Sequence, residues 1–325
     1  MDTLWQVLIA LLVVVVTLMV GLKMYVEAIK GRCSSTRDLT GKVVVVTGAN
    51  TGIGFCTAEN LALRNARVIL ACRNEKKAKD AVQRIRAATG NKEVVYQHLD
   101  ISLLSSVRTF VKQFLLEESR LDILINNAGV AGMQFSKTEE GFETTFVTNY
   151  LGHFLLTNLL LDKLKQCGPS RVVNVSSMVH NWSKKFHLDD MNGEKSYSIQ
   201  LAYYNSKLAN ILFTRELARR SQETEMKCYC AHPGCVKSDL LRHLPWYHIP
   251  LKIIIEGLIF KTSEEGAQTS IYCAVSEDVA EESGKYYVDC RQAEDQASDT
   301  SRDMGLARKL WEYSERVTGL ATSDN

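Results

Sequence analysis

The segment Val43-Val44-Val45-Val46-Thr47-Gly48-Ala49-Asn50-Thr51-Gly52-Ile53-Gly54 says most about how this chain folds. Residues 43–47 are a run of β-branched side chains, which is typical of a parallel strand buried on both faces. Three glycines follow at once, and a helical stretch then runs to about residue 63. Glycines permit a tight turn close to a ligand, and a helix N-terminus attracts an anion. The spacing is not G-x-G-x-x-G, but its place between strand and helix predicts a site for the pyrophosphate of a dinucleotide; a merely flexible loop is the alternative.

The rest of the chain repeats this alternation of strand and helix. Apolar runs predict further strands at residues 67–71, 93–96, 121–125, 171–175, 226–231 and 286–288. The stretches between them predict helices at residues 75–88, 102–118, 145–164 and through Tyr203 to about residue 220. Such alternation predicts right-handed crossovers and a single α/β domain, a Rossmann-type doubly wound parallel sheet with helices on both faces.

The composition is that of an ordinary folded protein. The 325 residues are 46% apolar, and 39 basic against 37 acidic residues give a net charge of +2. Because the basic residues form no stripe, we expect no nucleic-acid partner. The nine cysteines are an odd number, which argues against a secreted disulfide framework and favours reduced thiols. Cys228 and Cys230 have no companion pair at zinc spacing, so we expect no metal site.

The N-terminus departs from a soluble protein. Residues 3–22 carry no charge, and about twenty helical residues span the hydrocarbon core of a bilayer. A cleaved signal peptide is the alternative, but Asp2 precedes the run and no Ala-x-Ala follows it. Five basic residues follow the run and place the downstream part in the cytosol: Lys23, Lys30, Arg32, Arg37 and Lys42. We therefore predict an anchor and linker at 1–38 and a catalytic domain at 39–325.

Arg73 bears on which dinucleotide is bound. An acidic residue at the end of the second strand would bind the ribose 2′-hydroxyl of NAD. Here Ala71-Cys72-Arg73 stands at that point. Because a guanidinium can hold a 2′-phosphate that a carboxylate would repel, the sequence favours NADP. The alternative is that Arg73 is a solvated surface residue.

Tyr203 and Lys207 lie one helical turn apart, so their side chains share a face. A neighbouring ammonium favours the phenolate, and we expect Lys207 to lower the pKa of Tyr203 toward neutrality. Such a pair arises on many helices by accident. It gains weight from the glycine turn and from the serine pair Ser176 and Ser177.

Together these motifs resemble the short-chain dehydrogenase/reductases over about residues 39–288. The resemblance is carried by residues 47–54, Asn126-Asn127-Ala128-Gly129, Asn149, Ser177, Tyr203, Lys207 and His232-Pro233-Gly234. Three details are similar to the membrane-anchored retinol dehydrogenase (retinal reductase) branch: the anchor, Ala71-Cys72-Arg73-Asn74 and Leu151-Gly152-His153-Phe154-Leu155-Leu156.

The resemblance implies roles for the catalytic set. Tyr203 would protonate the carbonyl oxygen in reduction, or deprotonate the alcohol in reverse. Lys207 would lower the pKa of Tyr203 and bind the nicotinamide ribose. Ser177 would donate a hydrogen bond to the substrate oxygen. Asn149 would hold a water that links Lys207 to solvent.

The resemblance also implies a set of cofactor contacts. Asp100 would contact the adenine, Asn126 would line the cofactor path, and Pro233, Gly234 and Val236 would bracket the nicotinamide. Ser238 stands where many members have Thr and keeps the hydroxyl. The whole predicted set is Gly48, Asn50, Thr51, Gly52, Ile53, Gly54, Arg73, Asp100, Asn126, Ala128, Gly129, Tyr203, Lys207, Pro233, Gly234, Val236 and Ser238.

Several neighbours have plainer interpretations. Tyr204 is expected to pack, Ser176 to be structural, and His153 to be a satisfied core histidine rather than a proton shuttle. His180 and His187 either shape the substrate entrance or cover the surface. Residues 246–260 are strongly apolar but too short and charged to span a bilayer. They form either a substrate lid or a core or homodimer-contact helix.

These observations predict an NADP(H)-dependent oxidoreductase that interconverts a hydrophobic aldehyde or ketone and its alcohol. The resemblance favours retinal and retinol as substrates and the endoplasmic reticulum membrane as the location. One alternative is another lipid carbonyl or a steroid. The other, from a different class, is an anchored NADP-binding scaffold without turnover, which would need none of Ser177, Tyr203 and Lys207.

Overall fold

The computed structural model describes residues 2–183, 186–236 and 260–320. Its centre is an eight-stranded sheet in the order β3-β2-β1-β4-β5-β6-β7-β8. All neighbours are parallel except the last pair. The strands are β1 (Val43–Thr47), β2 (Arg67–Cys72), β3 (Val94–His98), β4 (Ile123–Asn126), β5 (Arg171–Val175), β6 (Lys227–His232), β7 (Lys285–Val288) and β8 (Arg291–Gln292).

β1 lies where the order of strands reverses. It pairs with β2 on one side and with β4 on the other, and all five of its residues are buried. In an open parallel sheet, ligands bind beyond the carboxyl ends of strands at such a reversal. The fold therefore brings the glycine turn after β1 next to the chain that leaves β4.

Helices cover both faces of the sheet, as predicted. One face packs against α2 (Gly52–Leu63), α3 (Glu75–Thr89) and α9 (Ser263–Val275). The other packs against α4 (Leu104–Glu117), α6 (Gly152–Leu159) and α8 (Ile199–Arg220). The Rossmann-type fold class is thus confirmed. The sequence patterns did not indicate α9, the edge strand β8 or the last helix, α10 (Met304–Thr318).

The predicted helix at 145–164 is wrong in one respect, because it is not continuous. It consists of α5 (Thr144–Phe146), a π-helical turn (Val147–Leu151), α6 and, after a break at Leu160, α7 (Leu161–Gln166). Gly152 begins α6 directly against the chain that follows β3, since a Cβ there would lie 2.0 Å from the carbonyl oxygen of Ile101. Apolar periodicity does not distinguish a π turn from an α turn.

α10 closes the outer face of α6 and α8. Trp311 packs edge-on to Phe154 with ring centroids 5.0 Å apart, and its centroid lies 5.8 Å from that of Phe213. The hydroxyls of Tyr150 and Ser314 are 2.7 Å apart in the same layer. The C-terminal helix is therefore part of the core.

α1 (Asp2–Ile29) precedes the domain, and its apolar side chains are exposed. Within the described ranges, it is the one helix long and apolar enough to cross a membrane. The other predicted apolar segment, 246–260, lies outside the described residues except for Phe260, and so does Ser238.

Candidate active site

Thr47 joins the carboxyl ends of β1 and β4. Its hydroxyl accepts hydrogen bonds from the backbone N–H groups of Asn127 and Ala128, both at 2.9 Å, and lies 2.9 Å from Nε2 of His153. Nδ1 of His153 is 3.2 Å from the carbonyl oxygen of Asn149, which can only accept. Nδ1 therefore carries the proton, and Nε2 accepts from Thr47. Burial lowers the pKa of His153 to about 3, so the ring stays neutral, as expected of a satisfied core histidine.

The glycine turn leaves no room for a side chain at Gly48 or at Gly54. Gly48 has a φ of +65°, and a Cβ there would lie 2.9 Å from Cα of Ala128. A Cβ on Gly54 would lie 2.5 Å from Nδ2 of Asn127. α2 then begins without a side-chain cap from Thr51, so an anion can take the place of the missing acceptor. Three more predicted cofactor contacts lie in this turn: Asn50, Gly52 and Ile53.

β5 and α8 bring Ser177, Tyr203 and Lys207 together. Nζ of Lys207 lies 5.7 Å from the centre of the Tyr203 ring and donates to the carbonyl oxygen of Val175 at 3.0 Å. Ser176 has the structural role that was expected, because its hydroxyl donates to the carbonyl oxygen of Lys207 at 2.7 Å and holds α8 against β5. The hydroxyl of Ser177 is near enough to the Tyr203 phenol to lower its pKa, against the larger effect of burial.

Burial dominates the protonation of this trio. It lowers the pKa of Lys207 to about 8, and it raises the pKa of Tyr203 against the opposing effect of Ser177. The sequence led us to expect that Lys207 lowers the pKa of Tyr203. In this structure the ammonium donates to the carbonyl oxygen of Val175 instead. Desolvation of the phenol therefore decides its pKa, which is raised. Tyr203 is therefore protonated at neutral pH.

Asn149 lies in the π-helical turn and holds the chain after β4. Its Oδ1 accepts from the backbone N–H of Val130 at 2.7 Å, and its Nδ2 donates to the carbonyl oxygen of Val130 and to the Ser206 hydroxyl, both at 2.9 Å. A Cβ on Gly129 would lie 3.3 Å from Oδ1 of Asn149 and 3.6 Å from Nζ of Lys207. Asn149, Gly129 and Lys207 thus converge. The water relay through Asn149 stays a prediction, because its side chain is occupied by Val130 and Ser206.

Asn126 does not face the predicted cofactor path. Its side chain is 3% exposed, and Nδ2 donates to Thr157 at 2.9 Å and to Asn174 at 2.7 Å. Oδ1 is buried and has no hydrogen-bond partner in the described part of the chain. The next residue, Asn127, lies toward the site instead and donates to the carbonyl oxygen of Thr47 at 2.9 Å.

Arg73 and Asp100 lie together beyond β2 and β3. NH1 of Arg73 is 3.6 Å from Oδ2 of Asp100, and the Arg73 side chain is 72% exposed. Asp100 is held in place by Ser102, whose hydroxyl donates to Oδ1 at 2.6 Å. The guanidinium is therefore accessible at the adenosine end of the predicted cofactor site.

The turn after β6 comes close to the turn after β1. Pro233 is buried, and Gly234 has a φ of +81°. A Cβ on Gly266 in α9 would lie 2.5 Å from Cγ2 of Val236 and 3.4 Å from Cγ1 of Ile53. Val236 and Ile53, which were predicted to contact the cofactor from distant parts of the sequence, thus meet at the same glycine.

His180 is a site residue whose role the sequence left open. It is fully buried, and its Nδ1 is 2.7 Å from the carbonyl oxygen of Ser177. Its Nε2 accepts from the backbone N–H of Ser298 at 3.1 Å, so the proton is on Nδ1, and the ring ties Ser177 to the C-terminal part of the domain. The one signal for this role in the sequence is a histidine three residues after the serine. His187, by contrast, is exposed.

The segment after Ser177 presents apolar side chains at the surface. Met178 is 41% and Trp182 50% exposed. Tyr204 packs edge-on to Trp182 at 5.4 Å, which agrees with its predicted packing role, and Sγ of Cys235 lies 3.9 Å from Sδ of Met178. We call Met178, Trp182, Tyr204 and Cys235 the apolar rim.

Known proteins of one family resemble this chain in sequence and in fold. The sequence model of the short chain dehydrogenase family matches residues 42–245. The chain is 48% identical to retinol dehydrogenase 11 of Homo sapiens over 290 residues, 89% of this chain and 90% of the relative. It is also 48% identical to retinol dehydrogenase 12 of Mus musculus over 291 residues, with the same shares covered. A crystal structure of a putative uncharacterized protein from Mycobacterium Paratuberculosis is 35% identical and superimposes with a TM-score of 0.69, covering 87% of this chain and 95% of that one. The chain belongs to the short-chain dehydrogenase/reductase family of oxidoreductases, which use a nicotinamide cofactor.

Proposed function

We propose that this protein is an NADP(H)-dependent oxidoreductase that interconverts a hydrophobic aldehyde or ketone and its alcohol, retinal and retinol being the favoured pair. The convergence of Ser177, Tyr203 and Lys207 beside Gly129 carries the proposal. A scaffold that only bound NADP would need no such acid–base set. The chemistry of the set is that of proton transfer to and from a substrate oxygen.

Tyr203 is the proton donor in reduction. Because burial raises its pKa, the phenol holds its proton at neutral pH and can give it to an oxygen that gains negative charge. Ser177, which lowers the pKa of that phenol, offers a second hydroxyl to the same oxygen. Lys207, with a pKa lowered to about 8, can restore a proton to the site from solvent.

The residues at the sheet reversal fit a nicotinamide dinucleotide. The bound cofactor supplies the hydride in reduction and accepts it in oxidation. The uncapped start of α2 would hold its pyrophosphate, and Val236 with Ile53 would flank its nicotinamide end. The exposed guanidinium of Arg73 supports NADP over NAD, because it can pair with a 2′-phosphate.

The apolar rim and α1 support a hydrophobic substrate taken up at a membrane. Two relatives that share 48% identity are named retinol dehydrogenases, which favours a retinoid. Residues 1–38 would form the anchor and linker, and residues 39–325 the catalytic domain. The basic residues after the apolar run support a cytosolic domain on the endoplasmic reticulum membrane.

The decisive assay uses the detergent-solubilised full chain with NADPH and a panel of retinal, fatty aldehydes and steroid ketones. We expect turnover that is fastest with retinal and is lost in Tyr203→Phe. Turnover that survives this substitution undiminished would refute the mechanism. NADPH binding without turnover of any substrate would favour the scaffold instead.

A further inference from the structure

The linker after α1 is docked on the catalytic domain. The Lys30 side chain is only 6% exposed, and its Nζ lies 2.9 Å from Oε1 of Glu265 in the first turn of α9. The backbone N–H of Cys33 donates to Oε1 of Gln268 on the same helix at 3.1 Å. The segment that leaves α1 is therefore held along α9, which bears the glycine where Ile53 and Val236 meet.

Gly31 packs directly against the backbone of Asp289. Its backbone N–H donates to Oδ1 of Asp289 at 3.3 Å, and a Cβ on Gly31 would lie 1.9 Å from the carbonyl oxygen of Asp289. Backbone atoms cannot yield as a flexible side chain does, so only glycine fits here. Asp289 itself has a φ of +52° and Cys290 one of +54°, a turn that non-glycine residues adopt rarely and at some cost.

Asp289 carries this contact to the turn after β6. Its Oδ1, which accepts from Gly31, also pairs with Nζ of the buried Lys261. The backbone N–H of Lys261 donates to the carbonyl oxygen of Cys235 at 2.7 Å. A Cβ on Gly234 would lie 2.9 Å from Cδ, Cε and Nζ of Lys261. One carboxylate thus joins the linker to the cation that supports the Gly234 turn.

We propose that residues 30–33 are a positioning element of the cofactor site, acting through Asp289 and Lys261 on Gly234 and through α9 on Val236 and Ile53. Gly31 and Asp289 are positioning residues, since they contact neither substrate nor cofactor. The inference rests on the proposed function insofar as these residues hold a nicotinamide cofactor. It implies that a displacement of the end of α1 shifts the residues of the cofactor site.

The test is the affinity of the full-length protein for NADPH, measured by the fluorescence of the bound cofactor, with Tm measured in parallel. Gly31→Ala should weaken NADPH binding about tenfold, because the added Cβ would displace Asp289 and with it the residues that hold the cofactor. Gly21→Ala is the matched control, because a Cβ there meets nothing within 4 Å, and its affinity should stay unchanged. A purely structural linker would lower Tm in Gly31→Ala and leave the affinity alone.

Variants at two further positions, Lys30 and Asp289, keep the test decisive if Gly31→Ala fails to fold. Lys30→Met removes the ion pairs to Glu265 and to Glu27 of α1 but keeps the aliphatic stem. Its control, Lys79→Met, removes the exposed pair with Glu75. We expect weaker NADPH binding only in Lys30→Met.

Asp289→Asn should bind NADPH better than Asp289→Ala, since the amide oxygen still accepts and Asn tolerates positive φ. Unchanged affinity in Lys30→Met and Asp289→Ala would overturn the proposal, whereas a native chain that binds no NADPH would overturn the proposed function itself.

Discussion

The ammonium of Lys207 lies 5.7 Å from the centre of the Tyr203 ring, while its hydrogen bond goes to the carbonyl oxygen of Val175 at 3.0 Å. The lysine is therefore positioned by the strand rather than by the phenol. This explains why burial, and not the neighbouring cation, governs the pKa of Tyr203. The phenol keeps its proton at neutral pH, as the proposed carbonyl reduction requires.

Replacing Tyr203 with Phe should remove that donor and little else. We expect the rate of retinal reduction to fall about 10²- to 10⁴-fold, the usual contribution of a general acid. Tm should change little, and NADPH affinity should fall far less than the rate, because Tyr203 is one of many predicted cofactor contacts. Tyr204→Phe is the matched control, because Tyr204 packs on Trp182. Equal losses in the two variants would show that the hydroxyl of Tyr203 has no special role.

The charge of Lys207 should cost stability at neutral pH. Its pKa falls from 10.5 in the unfolded chain to about 8 when folded, a difference on the order of 3 kcal/mol. The unfolded state binds the additional proton between these values, so the cost is full below about pH 8 and is relieved as the pH rises toward 10.5.

Lys207→Met should therefore have a higher Tm than the native protein at pH 7, and the difference should shrink between pH 8 and pH 10. Turnover should be lost at every pH. Lys112→Met, at an exposed position of α4, should show no such pH-dependent difference. If the Met variant is less stable at pH 7, the hydrogen bond to Val175 outweighs the desolvation of the ammonium.

The sequence predicted those parts of the site that depend on neighbours along the chain. The glycine turn follows from one strand–turn–helix segment, and the Tyr203–Lys207 pair from one helical turn. The sequence did not indicate that Thr47 connects several parts of the site. Its partners Asn127 and His153 come from the chain after β4 and from α6. Their proximity depends on the order of strands in the sheet.

The two asparagines at the carboxyl end of β4, Asn126 in the strand and Asn127 just after it, show a second limit. Asn126 and Asn127 are adjacent, and a one-residue difference in register exchanges the two faces of a strand. Asn126 is directed to Thr157 and Asn174 in the core, whereas Asn127 contacts Thr47 at the site. Burial on both faces of a parallel sheet removes the alternation that would have identified the face.

The Thr47 hydroxyl should be important for stability. Thr47→Val leaves the N–H of Ala128 and the buried Nε2 of His153 without their partner, which should cost about 3 kcal/mol and weaken NADPH binding. The N–H of Asn127 keeps only the carbonyl oxygen of Ile125, at 3.1 Å. Thr57→Val is the control, because that hydroxyl donates only to the carbonyl oxygen of Ile53, and its loss should cost less than about 1 kcal/mol. Tm and cofactor affinity measure both effects. Equal losses of Tm and of NADPH affinity in the two variants would show that Thr47 has no special part in holding the site together.

Arg73 should decide between the two dinucleotides. Arg73→Asp replaces a cation with a carboxylate that repels the 2′-phosphate, so NADPH affinity should fall about 10- to 100-fold while NADH affinity holds or rises. Lys76→Asp makes a similar change of charge at a nearby exposed position and should leave the NADPH preference intact. Binding of both cofactors to each variant can be measured by fluorescence. An unchanged preference in Arg73→Asp would mean that this guanidinium is only a solvated surface group.

The apolar rim should determine the class of substrate. Trp182 is half exposed and follows Ser177 closely, so its indole can cover the apolar part of a long substrate. Removing it in Trp182→Ala should raise KM for retinal about tenfold, as expected when an aromatic contact area is lost, and change KM for a three-carbon aldehyde by less than about twofold. Leu116→Ala, on the exposed face of α4, removes a more exposed apolar side chain and should alter neither value. A three-carbon aldehyde is short enough to reach the hydroxyls of Ser177 and Tyr203 without contacting the rim. An equal rise in the KM values for retinal and for the short aldehyde would therefore mean that Trp182 supports the catalytic residues and does not bind the substrate.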